Sequence, residues 1–357
     1  MAPAIRFRTP RIVAATATLI MAVLLSACDS GDDGSQAPVT RMQGNVFGTF
    51  YQVTLAGELD QPRVEELRSG IEGVLDEVDE QMSTYRDDSD LNRLNNADVG
   101  EWVSTPADLF HVLERSRSIG RKTDGAFDVT VGGLVNLWSF GPEARPEETP
   151  PQDELEKRLA EVGYAKLELD EDGPRVRRQA DFFVDLSGVA KGYGVDRVAR
   201  YLNEQGHGDF LVNIGGDMIA QGSRGPDTPW RIGIELPEDG PTSAHHALPL
   251  TDISLATSGD YRNYFEEDGQ RYSHTISPKT GQPVTHSLAS VSVFYPDNTT
   301  ADAYATAFMV MGTEASLAFA EEHDVAVLII TAGEDDFRTE VSGEFRRLFG
   351  EDSIPET

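Results

Sequence analysis

The sequence predicts an α+β fold rather than a doubly wound sheet, and three observations carry that expectation. Apolar residues recur at helical spacing between positions 62 and 82, at Val64, Leu67, Ile71, Val74, Leu75 and Val78. Alternating or continuous apolar runs, "FGTFYQVTL", "FLVNIGG", "WRIGIEL", "ASVSVFY" and "VAVLIIT", read as strands. Strands and helices interleave without the regular βαβ rhythm that a parallel sheet requires.

In chain order, Arg6, Arg8 and Arg11 precede an apolar run from Ile12 to Leu25 that ends in "LLSAC". This is the pattern of a signal peptide with a lipobox over residues 1–27, in which Cys28 becomes the lipidated N-terminus. The apolar run is short for a bilayer span. Cys28 is the only cysteine, so the chain has no disulfide framework, and once acylated it leaves no thiol for catalysis or zinc. Asp29 resembles the signal that keeps some bacterial lipoproteins on the inner membrane, so the expected location is the periplasmic face of that membrane.

Residues 28–40 are mostly Gly, Asp, Ser and Pro with little to bury, a flexible tether. The folded domain is expected over 41–350, followed by a short tail, 351–357. Thr105 and Pro106 signal a helix that runs to about Arg121. Residues 141–152 are rich in Pro and Glu and read as a surface loop. Further helices are expected at 191–205, 301–311 and 314–323, and Asp181–Leu186 reads as a strand.

The chain carries 30 basic and 61 acidic side chains, a net charge of −31. Removing residues 1–27 takes away three arginines and no acid, which deepens the charge further. Such a surface disfavours nucleic acid and anionic lipid as partners. A phosphate-bearing ligand would need a local cation.

Several segments place glycine beside polar residues in a way a plain core does not need. In "DLSGVAKGYGVD", Gly188, Gly192 and Gly194 sit with Lys191 where a strand gives way to a helix, a junction that either eases the chain into the helix or brings backbone N–H groups to an anion. "NIGGD" reads equally as a tight turn. Asp302 and Thr306 are four residues apart on a predicted helix and share a face. A carboxylate with a hydroxyl suits a hard cation such as Mg²⁺, or serves as an ordinary surface pair. His274, in the strand-like "RYSHTIS", reads as a structural hydrogen-bonding residue or as a base. Trp138 and Trp230 read as packing residues, and His245 and His246 as surface.

Four of these segments in order, "DGAFDVTVGGLVNLW", "DLSGVAKGYGVD", "TSGDYRNYF" and "SHTISPKTGQP" through "ADAYATA", resemble the ApbE family of FAD:protein FMN transferases. The resemblance runs from about Phe47 to Phe349. It implies a two-lobed α+β fold with FAD in the cleft between the lobes. The implied reaction is Mg²⁺-dependent transfer of the FMN half of FAD onto a Thr or Ser of an exported or membrane protein, with release of AMP.

Carried onto this chain, the resemblance places FAD contacts at Phe47, Tyr85, Ala126, Phe127, Asp128, Asp185, Lys191 and Ile276. Metal ligands fall on the Gly188 carbonyl, Asp302 and Thr306. Relatives usually carry Met at position 47, and often an acidic residue where this chain has Ala305. His274 is the expected base, with Asp260 as its rival and Arg262 as a phosphate contact. The implied acceptors include subunits of sodium-pumping NADH:quinone oxidoreductase and related complexes. An FAD pyrophosphatase releasing FMN and AMP, and a lipoprotein that only binds flavin, stay open as alternatives.

Overall fold

A computed structural model describes residues 37–354 except 144, 171, 236–243, 260–263, 268–269 and 334–335. The expected signal peptide, Cys28 and Asp29 lie outside the described residues, as do Asp260, Arg262 and the side chains of His245 and His246. Among the described residues no helix is long and apolar enough to cross a membrane.

The described chain opens with the hairpin β1 (Val39–Val46) and β2 (Thr49–Ala56), then α1 (Gln61–Met82), α2 (Asp90–Asn95), β3 (Val103–Ser104) and α3 (Ala107–Lys122). A 3-10 turn, Val129–Val131, leads into α4 (Gly132–Leu137). The next elements are α5 (Gln152–Glu161), β4 (Leu167–Asp170), β5 (Arg175–Arg178) and α6 (Ala190–Glu204). Eight strands follow: β6 (Phe210–Ile214), β7 (Asp217–Gln221), β8 (Trp230–Glu235), β9 (Ala244–Leu250), β10 (Ile253–Gly259), β11 (Tyr264–Glu267), β12 (Gln270–Ser273) and β13 (Leu288–Tyr295). The chain closes with α7 (Asn298–Met311), α8 (Thr313–Glu322), β14 (Ala326–Ala332), β15 (Phe337–Val341) and α9 (Gly343–Phe349).

An eight-stranded sheet in the order β1-β2-β6-β7-β10-β13-β14-β15 dominates, and each of its pairings is antiparallel. The expected α+β class is what folds. Both faces of the central strands are covered, which explains runs such as "VAVLIIT" that lack polar alternation. Along β14, Val327 and Ile329 join the core beneath α7, while Leu328 and Ile330 join the core beneath α9 and the β8–β9 hairpin. Successive residues alternate faces, so burial on both sides needs an apolar residue at every position.

Among the described residues there are also three small sheets, one of which, β3-β5-β4, packs with α2 and α3. The core below is continuous: Leu91, Leu109 and Val176 belong to the same cluster as Val291 and Phe308.

Two sequence expectations need correction. Strand β1 starts at Val39, inside the expected tether, because it pairs along its length with β2. Asp181–Leu186 is extended but belongs to no strand. Its backbone groups are taken elsewhere: the Asn95 side chain bonds Val184 N and O at 2.7 and 2.9 Å, and Gly132 N and Val129 O bond Phe183 O and Asp185 N. A residue with good strand chemistry is satisfied here by a side-chain amide and a 3-10 turn.

Helices α6 and α7 pack with almost no gap. A Cβ at Gly192 would stand 2.4 Å from the Asn298 carbonyl oxygen and 2.8 Å from the Asp302 Cβ, and one at Gly188 would stand 2.9 Å from the Thr306 Oγ1. At Gly194 the neighbour is the Phe47 ring, at 2.9 Å. The three glycines thus admit protein atoms, and only Gly188 opens onto the cleft.

The first turn of α7 is tied to α6 electrostatically. Asp297 caps Thr300 N at 2.8 Å, and the Asp196 carboxylate on α6 accepts from Asn298 N at 2.8 Å and from Thr299 N at 2.9 Å. These bonds satisfy N–H groups that a helix start leaves without partners, near the positive end of its dipole. Burial nonetheless pushes the Asp196 carboxyl up to about 6, the Thr299 and Asn298 bonds only partly opposing it.

Gly192→Ala should cost about 1–3 kcal/mol of stability, the range for overpacking a close contact. A melting temperature equal to that of the parent would show that α6 and α7 can part freely. The Asp196 carboxyl titrates higher in the folded than in the unfolded chain, so its contribution favours folding below about pH 4 and is lost as pH rises through 6. Asp196→Asn should remove that slope from thermal melts taken between pH 4 and 7, whatever the loss of capping does to the offset. Parallel curves for the two proteins would refute the assignment.

Candidate functional site

Two adjoining cavities of about 750 and 420 Å³ form one cleft, sharing Thr84, Tyr85, Asp185, Ser187 and Lys191 as lining. Of the sequence-predicted contacts, Phe47 lines the larger cavity, and Ala126, Phe127, Asp128, Gly188, His274, Ile276, Asp302 and Thr306 line the smaller. Residues more than 250 positions apart in sequence are brought together, while Asp260 and Arg262 lie outside the described residues.

Each wall is built locally. Phe47 (φ 50°) and Gly48 (φ 73°) form the two-residue turn between Val46 and Thr49, both in the left-handed region such hairpins require. A phenylalanine in that region is strained, at a cost on the order of 1–3 kcal/mol. The turn projects the ring against Gly194 at the edge of the cleft. Tyr85, 75% exposed, sits in the loop after α1. That loop is braced from α2, where Asn92 Nδ2 donates to the carbonyls of Thr84 and Arg86 at 3.0 and 2.9 Å.

Opposite, the turn after α3 carries Ala126 and Phe127, both largely buried. Asp128 turns its carboxylate inward rather than toward a ligand. Its Oδ1 accepts from Thr130 N and Oγ1 at 2.9 and 2.7 Å, and its Oδ2 from Tyr164 N at 2.7 Å. Burial raises its pKa against those bonds. It shapes the 3-10 turn, and its contribution to a ligand is the wall it holds in place. Asp185 differs: one oxygen takes Ser187 N at 2.8 Å, burial raises the carboxyl, and the residue lines both cavities.

The polar centre lies where α6 meets α7. Asp302 and Thr306 share a face of α7, as their spacing predicts, and Thr306 Oγ1 lies 3.5 Å from the Gly188 carbonyl oxygen. Asp302 Oδ2 accepts from Gly192 N at 2.9 Å. The Lys191 ammonium pairs with Asp217 and stands 4.0 Å from Asp302 Oδ1. Burial would lower the lysine, but Asp217 and Asp302 more than reverse this and hold it above its ordinary value. Burial pushes the Asp217 carboxyl up to about 7, with Lys191 pulling it back and Asp302 adding to the rise.

The Gly188 carbonyl, the Asp302 carboxylate and the Thr306 hydroxyl are all hard oxygen donors around one point of the cleft, a set that fits Mg²⁺. Ala305 is fully buried in the core and is absent from the lining, so position 305 adds no donor. Among the described residues no group of three or more His, Cys, Asp or Glu is clustered for a metal, so a cation here depends on backbone and hydroxyl oxygens.

His274 follows β12 and lines the smaller cavity, its ring 6.3 Å from Phe140 in an edge-on arrangement. Ile276 is buried beside it and bridges to Pro283. Trp138 and Trp230 line neither cavity; their indole N–H groups donate to the carbonyls of Gly281 and Gln221 at 2.8 and 2.9 Å, so both are packing residues. Asp217 is the residue whose part in the site sequence reasoning missed. Its signal was "NIGGD", read as a turn.

Comparison with known proteins agrees with this geometry. A sequence model of the ApbE family matches residues 47–329. The FAD:protein FMN transferase of Vibrio cholerae is 40% identical over 327 residues, covering 91% of this chain and 95% of that protein. The Escherichia coli K12 protein of the same name is 36% identical over 337 residues, covering 92% and 95%. The solved flavin transferase ApbE of V. cholerae superposes with a TM-score of 0.79 at 39% identity, covering 88% of this chain and 99% of that one. The apo flavinyl transferase of Pseudomonas stutzeri superposes at 0.81 and 36% identity, covering 88% and 98%. With its two-cavity cleft, its α6–α7 centre and these likenesses over most of its length, the chain belongs to the ApbE family.

Proposed function

We propose that this chain is an FAD:protein FMN transferase, which moves FMN from FAD onto a threonine or serine hydroxyl of an exported or membrane electron-transfer protein and releases AMP. The observation that carries the reading is the convergence of Asp302, Thr306 and Gly188 in the smaller cavity beside Lys191, which lines both cavities. A dinucleotide has two aromatic halves joined by a pyrophosphate, and the cleft has two adjoining cavities with Asp185, Ser187 and Lys191 common to both. The carboxylate of Asp302 and the hydroxyl of Thr306 on α7 favour phosphoryl chemistry over mere storage of flavin.

Asp302, Thr306 and the Gly188 carbonyl would hold Mg²⁺, which when bound offsets the pyrophosphate charge. Lys191 places an ammonium at the same point of an acidic protein, where it attracts and orients the pyrophosphate. His274 takes the proton from the acceptor hydroxyl oxygen onto an imidazole nitrogen. That oxygen bonds to the FMN-side phosphorus, the bond from this phosphorus to the bridging oxygen breaks, and AMP leaves with the bridging oxygen. Phe47 and Tyr85 border the larger arm, and Ile276 and Phe127 the smaller, as apolar walls for aromatic rings.

The proposed setting is the periplasmic face of the bacterial inner membrane, with Cys28 carrying the lipid and the residues between it and β1 acting as tether. Subunits of sodium-pumping NADH:quinone oxidoreductase or related complexes are the proposed acceptors.

Incubating the chain with FAD, Mg²⁺ and an acceptor protein should raise the acceptor's intact mass by one FMN, and a chelator should abolish the gain. His274→Ala should fold and lower the transfer rate by about 10²–10⁴-fold, the range for losing a general base. Asp302→Ala should do so at least as strongly. Release of FMN and AMP without a mass gain would replace this reading by FAD hydrolysis. Cys28→Ser should move the protein from the membrane to the soluble fraction, and a variant that stays on the membrane would remove the lipid anchor from the account.

A further inference from the structure

Asp217 is the buried charge that the mechanism above leaves without a task. Its side chain is 1% exposed and is set by a turn of two glycines, Gly215 (φ 57°) and Gly216 (φ 105°), between β6 and β7. Nothing in β-sheet packing calls for a carboxylate there, and burying one is costly unless a partner repays it. Two partners do: Thr257 N donates to Oδ1 at 3.2 Å, and the Lys191 ammonium pairs with Oδ2. The backbone bond from β10 fixes the plane of the carboxylate, so the ammonium has one place to go.

Across the gap the geometry is unequal. Asp302 Oδ2 is committed to Gly192 N at 2.9 Å, and Oδ1 stands 4.0 Å from the ammonium, beyond hydrogen-bond length. Lysine is a point charge on a flexible stem. Without its anchor it would close that gap and occupy the carboxylate oxygen left for a cation.

We propose that Asp217 is a positioning residue: it pins the Lys191 ammonium on the sheet side of the cleft, so that the ammonium faces the pyrophosphate without neutralising Asp302, whose Oδ1 stays available to a divalent cation. The role rests on the metal site assigned under the proposed function. It accounts for a lysine and a cation site sharing one small space, which otherwise repel.

Mg²⁺ binding tests it by calorimetry, with MgCl₂ titrated into the full-length chain free of FAD and again at saturating FAD. Asp217→Asn keeps the volume and an oxygen for Thr257 N but loses the charge, and it should weaken Mg²⁺ binding by about tenfold, ~1.4 kcal/mol. Adding Lys191→Met to that variant removes the competing ammonium and should restore Mg²⁺ binding to within about threefold of the parent. A merely structural role for Asp217 would not be rescued in this way. Unchanged Mg²⁺ affinity in Asp217→Asn, or no rescue in the double variant, would overturn the proposal while leaving the metal site standing. A parent chain that takes up no Mg²⁺ in either titration would overturn the metal site and this role together. If Asp217→Asn does not fold, Lys191→Met alone decides: Mg²⁺ binding within about threefold of the parent supports the proposal, because the pinned ammonium does not compete, and a larger change in either direction overturns it.

Discussion

The close approach of α6 to α7 is the constraint on which the site depends. Helix axes approach this closely only where one partner lacks side chains at the contact, and here Gly188 and Gly192 supply the gap. That contact delivers Asp302 to the Gly192 N–H, Thr306 to the Gly188 carbonyl, and Lys191 to the space between two carboxylates. Asp196 then ties the start of α7 back to α6, so the helix carrying the oxygen donors cannot slide along its neighbour without giving up its capping bonds. Backbone fit and helix capping together make the arrangement rigid.

The antiparallel sheet beneath plays a different part. With both faces of the central strands buried, it provides a stiff layer from which β10 presents Thr257 to the cleft and β7 holds the buried Asp217 against Lys191. Cavity-lining residues on the opposite wall come from turns: the Phe47 turn, the loop at Tyr85 and the 3-10 turn after Asp128. Each is locked by named hydrogen bonds or by strain held against packing, which is how loop residues reach the precision that binding needs. Lys191 sets an ammonium in the cleft of a chain whose net charge is −31, held there by two carboxylates.

Much of this was legible in the sequence. The periodicity of α1, the run of β14 and the Asp302–Thr306 spacing each depend on contacts within a few residues or on one-dimensional patterning, and all appear as expected; the helix after Thr105 and Pro106 forms too, but with Pro106 at its cap and the Thr105 hydroxyl donating to the Pro174 carbonyl. The motif resemblance also placed Lys191, Asp185, Tyr85 and Ile276 at the cleft. The reading failed where a residue's partner is distant. Asp181–Leu186 has strand-like residues, yet its ladder positions are taken by Asn95 and by Val129, which no local pattern announces. Asp128 looked like a ligand contact because its motif is specific, and only its three bonds to Thr130 and Tyr164 show that its carboxylate serves the turn.

The sequence by itself determined the class of fold, the acidic surface, the pairing of a carboxylate with a hydroxyl on one face of α7 and the family, since all of these rest on residue identity and spacing. Tertiary structure decided what the glycines of "DLSGVAKGYGVD" are for and what the aspartate of "NIGGD" does. Both answers depend on which atoms lie within 3–4 Å across elements more than 20 residues apart, and such distances follow from how the helices and sheet pack.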